Sequence, residues 1–127
     1  MVLFSGTNDL AGNELDKQPA DILNGFQTFV RKVRQDLPNV LIYNISITPT
    51  RARFNKLAEV QATNALIKNF CESDEKLFFF DLADQFLTKD GQPRDDLFIQ
   101  DGLHLNEKGY KIWVDEMKPI LEKAYVE

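Results

Sequence analysis

The chain's single histidine, His104, follows Asp101 by three positions in "DGLHLNEKGY" (101–110). A carboxylate that accepts from one ring nitrogen fixes the imidazole tautomer. The other nitrogen is then free to take a proton from a hydroxyl. At i, i+3 spacing within a turn, both side chains can reach one site, as a general base and its orienting acid would. The plainer reading is a turn-capping aspartate followed by a surface or packing histidine, and four residues alone do not decide between the two. A second element is "SGTNDL" (5–10). Gly6 permits a tight exit from an apolar run, and Asn8 can aim an amide N–H at an oxyanion. Asp9 can brace the loop by accepting backbone N–H groups. Taken alone, this stretch is better read as an ordinary Asx-turn.

The elements that must hold these residues alternate along the chain. "VLFS" (2–5) is a short apolar run that stops at Gly6, which marks a strand. Over 19–37, Ile22, Leu23, Phe26, Phe29, Val30, Val33 and Leu37 form one helical face, with Pro19 in the first turn and Pro38 beyond the end. "VLIYNISIT" (40–48) is β-branched and stops at Pro49, so it reads as a buried strand. From Phe54 to Phe70 the apolar positions Leu57, Ala58, Ala62, Ala65 and Leu66 fit a second helix. "LFFFDL" (77–82) is a third strand whose unbroken apolarity predicts burial on both faces. Tyr110, Trp113, Val114, Met117, Leu121 and Ala124 form the inner stripe of a last helix, with Asn106 as N-cap and Pro119 as a bend.

Strands alternating with helices of this length indicate βαβ crossovers and a parallel sheet covered on both sides. Ligands of such sheets bind beyond the carboxyl ends of the strands. Segments 6–13, 48–55 and 81–86 all follow strands and should share one rim, over which the loop with Asp101 and His104 can fold. Phe54, Phe86 and Leu10 suggest a partly apolar pocket there, although core packing explains them equally well.

Composition narrows the function classes. One domain fits 127 residues. A net charge of −5 argues against a nucleic-acid binder, which needs a basic stripe to meet phosphates. No apolar run approaches the roughly 20 residues needed to span a bilayer. The start lacks a basic n-region, so the chain as given is expected in the cytoplasm. One cysteine, Cys71, precludes an internal disulfide and reads as a small buried hydrophobe. With one His beside it, a metal site is not expected.

Together the two polar elements become specific. G-x-N-D after an apolar strand, then D-G-x-H-x-N about ninety residues later ahead of an amphipathic helix, resembles the third and fifth blocks of the SGNH (GDSL) serine ester hydrolase family. "ITPT" after the middle strand and the Arg-rich "RARF" agree, and the resemblance runs nearly end to end. It implies a flavodoxin-like three-layer α/β/α fold with a parallel sheet, here reduced to about three strands. It also implies hydrolysis of a small ester through a serine acyl-enzyme, without a cofactor. His104 would be the base, Asp101 its orienting acid and Asn8 an oxyanion donor, with Gly6 and Asp9 in the same substrate loop.

The sequence departs from that pattern at the nucleophile. The family's serine lies in a Gly-Asp-Ser block after its first strand, and a glycine of the second block completes the oxyanion hole; neither block is present. Ser46 falls within a predicted strand and Ser73 at a helix end. Ser5 ends the first strand, where the family gives it no nucleophilic role. The chain is therefore expected to be an N-terminally incomplete domain over 1–127, with no nucleophile of its own. In the family's strand order, 2-1-3-4-5, the absent first strand would flank residues 2–5. An open edge there predicts a homodimer or pairing with an N-terminal complementing segment. The alternative is a non-catalytic module that associates through that edge. A receiver-like signalling domain is weaker, because no acidic cluster follows the first strand.

Overall fold

Pro19 sets the first helical turn and the Gln18 N–H donates to Asp21 Oδ2 at 3.1 Å, which together start α1 (Pro19–Asp36). Ile22, Phe26 and Val30, one turn apart, are its buried stripe. The helix ends where Pro38 disfavours helical geometry for Leu37. The computed structural model describes residues 1–4 and 18–125. The other elements are β1 (Val2–Leu3), β2 (Ile42–Ile45), α2 (Leu57–Glu72), β3 (Leu77–Phe80) and α3 (Glu107–Tyr125), with short 3₁₀ turns at Phe54–Lys56, Ala83–Phe86 and Asp95–Leu97.

The three strands pair in parallel in the order β1-β2-β3, with Leu3 opposite Asn44 and Ile45 opposite Phe80. Alternation along β2 divides the core. Ile42 packs with Ile22, Phe26, Val30, Val60, Ile67 and Leu77 under α1 and α2. Tyr43 and Ile45 pack with Phe80, Leu82, Phe86, Leu97, Phe98 and Leu105 on the opposite face, where Ile112, Trp113, Met117 and Leu121 of α3 cover them. The result is the expected three-layer α/β/α arrangement.

Several boundaries and faces differ from the sequence reading. Each strand is shorter than expected. The Ser46 N–H still donates to Phe80 O at 2.9 Å, but the next residue leaves the sheet because Asn64 of α2 captures it. Asn64 Oδ1 accepts from the Ile47 N–H at 2.7 Å, and Asn64 Nδ2 donates to Ile47 O at 3.0 Å. The same contact fixes the rotation of α2. Its buried face is Val60, Thr63, Asn64, Ile67 and Cys71, while Ala58, Ala62, Ala65 and Leu66 face outward and Leu57 is half-buried. In α3, Tyr110 and Val114 are about half exposed, and Ile112 replaces them in the inner stripe. Phe78 of β3 is partly exposed against Tyr43, so burial on both faces fails for that strand. Cys71 is buried, as expected, and burial, with Asp74 and Glu72 nearby, pushes its thiol pKa up to about 11.

Among the described residues no helix is long and apolar enough to cross a membrane. Asn64→Leu would strand the Ile47 N–H and C=O in the core, at about 1–3 kcal/mol for an unmet group. We therefore expect a loss of roughly 2–4 kcal/mol, read from the urea midpoint at an unchanged m-value.

Candidate active site

The polypeptide between the 3₁₀ turn at 95–97 and α3 doubles back on itself. Phe98 and Leu105 form an antiparallel bridge, and the Ile99 N–H donates to His104 O at 2.9 Å. Both bridge residues are buried, so the loop at 99–104 stands on a stem set in the core. Gly102 adopts φ +64°, a left-handed conformation that suits glycine. A Cβ there would also lie 3.1 Å from Cβ of Arg51. Gly102 O accepts from the Ala52 N–H at 3.0 Å, which ties the loop to the segment after β2. Arg51 is held in turn by Asp95, with Nε–Oδ1 at 3.3 Å and Nη2–Oδ2 at 3.2 Å.

Inside this loop Asp101 acts at both carboxylate oxygens. Oδ1 accepts from the N–H groups of Leu103 at 2.9 Å and His104 at 3.0 Å, and Oδ2 lies 2.5 Å from His104 Nδ1. The His104 hydrogen bond, followed by the two backbone donors, lowers the Asp101 pKa to about 2. At neutral pH the carboxylate can only accept, so Nδ1 must carry the proton and Nε2 is the ring nitrogen left without one in the neutral imidazole. The two sequence readings of D-x-x-H are therefore compatible: Asp101 caps the turn and also meets the imidazole.

His104 borders a cavity of about 180 Å³ that it shares with Phe4, Thr48, Thr50, Leu103, Leu105, Tyr110 and Trp113. Phe4 lies just beyond β1, and Thr48 and Thr50 follow β2, so the cavity sits at the carboxyl ends of the strands; of the segments expected to share this rim, 48–55 borders the cavity, 81–86 does not, and 6–13 lies outside the described residues. Phe4 and Tyr110 both meet the Trp113 ring edge-on, at 4.9 and 5.6 Å between centroids. These aromatic residues were not legible as pocket residues, because helical periodicity marks Tyr110 and Trp113 only as core. Phe86 is fully buried, and Phe54 lies beneath the Arg51 guanidinium, 5.8 Å from ring centroid to carbon; neither lines the cavity.

Other candidates separate from this site. Ser46 is buried and its hydroxyl oxygen accepts from the Leu82 N–H at 3.0 Å. Ser73 ends α2, ahead of the start of β3 and hence at the amino end of the parallel strands, where its hydroxyl donates to Phe70 O at 2.6 Å. Ser5, Gly6, Asn8, Asp9 and Leu10 lie outside the described residues. Among the described residues no group of three or more His, Cys, Asp or Glu could hold a metal ion.

The family model described as GDSL-like Lipase/Acylhydrolase matches residues 1–112. A solved structure from Streptococcus pneumonia, described as a platelet activating factor, aligns at TM-score 0.79 and 24% identity over 94% of this chain and 58% of its own. A GDSL-like lipase from Bacteroides thetaiotaomicron aligns at TM-score 0.78 and 22% identity over 97% of this chain and 62% of its own. A carbohydrate esterase family 3 protein from Talaromyces cellulolyticus aligns at TM-score 0.76 and 20% identity over 97% and 56%. The chain thus spans less than two thirds of the length of each. Comparison with curated proteins gives no match.

The depressed Asp101 pKa sets a pH window. The contribution of a carboxylate held below its ordinary value of 3.8 is complete above about pH 4 and is lost as pH falls toward 2. A ¹³C titration of the Asp101 carboxyl should therefore have its midpoint near 2, and a midpoint near 4 would contradict the bonding described.

Proposed function

The chain belongs to the GDSL-like lipase/acylhydrolase family, and from that premise we propose that it carries the base and orienting acid of a serine ester hydrolase acting on a short acyl ester. The observation that carries the reading is the Asp101–His104 contact beside a cavity at the carboxyl end of the sheet. His104 Nε2 takes the proton from a serine hydroxyl as the oxygen attacks the acyl carbon, and returns it to the departing alkoxide. Water then repeats the cycle on the acyl-enzyme. Asp101 holds the tautomer and stabilises the imidazolium while it lasts. Asn8 is assigned to the oxyanion. Phe4, Leu103 and Trp113 supply an apolar wall suited to a small acyl group.

The nucleophile is assigned to polypeptide other than these 127 residues. No Gly-Asp-Ser occurs in the sequence, and the surroundings of Ser46 and Ser73 suit neither for attack. On this reading the domain over 1–127 does not complete a catalytic triad alone. A second reading, association through the β1 edge with a second copy or a complementing segment, draws on the exposure of Val2 and Phe4 beside α3.

The test joins the chain to a polypeptide bearing a Gly-Asp-Ser segment and follows p-nitrophenyl acetate hydrolysis. His104→Ala should lower kcat by about 10²–10⁴-fold. Activity unchanged in that variant would end the hydrolase reading. Stoichiometric fluorophosphonate labelling of a serine in the unjoined chain would instead overturn the assignment of the nucleophile elsewhere.

A further inference from the structure

Asn106 touches neither the cavity nor the imidazole, yet it holds the stem of the loop that carries both Asp101 and His104. Its backbone N–H donates to Leu97 O at 3.0 Å, and its side-chain Nδ2 donates to Asp96 O at 2.8 Å and Phe98 O at 3.3 Å. One residue thus engages three consecutive carbonyls on the outgoing side of the loop. From the same side chain, Oδ1 accepts from the Gly109 N–H at 3.1 Å and caps α3. The two functions use different atoms, so they can be separated by substitution.

The join also has little freedom elsewhere. A Cβ on Gly109 would lie 2.5 Å from Leu97 O, which shows how closely the first turn of α3 approaches the stem. Leu97 and Phe98 are buried in the core, so the stem cannot shift to follow a displaced helix end. His104 lies two residues before Asn106, and a change in the stem at 96–98 passes to the imidazole through the Phe98–Leu105 bridge and the Ile99–His104 bond.

We propose that Asn106 is a positioning residue for His104: its amide donors hold the stem so that the imidazole stays on the Asp101 carboxylate. The proposal rests on the reading of His104 as the base, because only then does imidazole placement matter for chemistry. It assigns Asn106 a role beyond helix capping and separates that role atom by atom. Aspartate and serine keep an oxygen for the Gly109 N–H but cannot supply both donors to the Asp96 and Phe98 carbonyls.

The test uses the fact that His104 is the chain's sole imidazole, so its Nδ1 proton gives a single ¹H resonance and requires no substrate. Asn106→Asp and Asn106→Ser should retain the helicity of α3 while the Nδ1 proton exchanges with solvent about tenfold faster than in the unaltered chain. Exchange within twofold of the unaltered chain in both variants would overturn the proposal. Faster exchange accompanied in both by loss of α3 helicity would also overturn it, because capping alone would then account for the effect. If His104→Ala leaves ester hydrolysis intact while the Asn106 variants loosen the proton as expected, the hydrolase reading fails and the positioning role stands.

Discussion

The ionised carboxylate of Asp101 is the interaction on which the site depends. It accepts three hydrogen bonds from its own loop, two from backbone N–H groups and one from the imidazole. The backbone bonds shape the turn and the imidazole bond selects the tautomer, so loop conformation and proton placement are set by one group. Charge-assisted bonds of this kind are stronger than neutral ones. The depressed acidity of Asp101 expresses the same preference for the charged form. Gly102 serves this turn twice, through its left-handed backbone and its closeness to Arg51.

What surrounds the loop has the character of a mount. On one side β2 leaves the sheet early because Asn64 of α2 takes over the hydrogen bonds of Ile47, and the freed segment delivers Thr48 and Thr50 to the cavity. On the other, Leu97, Phe98 and Leu105 sit in the core beneath α3 and fix the stem. Arg51 and Ala52 join the two sides across the top. The imidazole itself is two-thirds exposed, so its placement comes from the loop and not from packing around the ring.

Much of this was legible in the sequence. The alternation of elements, the parallel sheet and the Asn106 cap all appear in local patterns, and D-x-x-H marked the contacting pair. What was not legible depended on contacts between distant residues. An asparagine within α2 gives no sign that it will bond Ile47, 17 positions earlier, yet that contact turned the helix and buried Thr63 in place of Ala62. Helical periodicity could not separate Tyr110, which borders the cavity, from Ile112, which packs inward. The continuous apolarity of "LFFFDL" suggested two covered faces, but Phe78, stacked on the Tyr43 ring, lies partly open.

On the proposed reading, the Asp101 contact holds the His104 imidazole in the tautomer that a general base requires. Long-range ¹H–¹⁵N correlation of the sole histidine, recorded at a pH where the ring is neutral, tests it directly. We expect a protonated Nδ1 and an unprotonated Nε2. A ring that carries its proton predominantly on Nε2 would mean that the Asp101 contact does not hold His104 in solution, and that His104 is not held as the base.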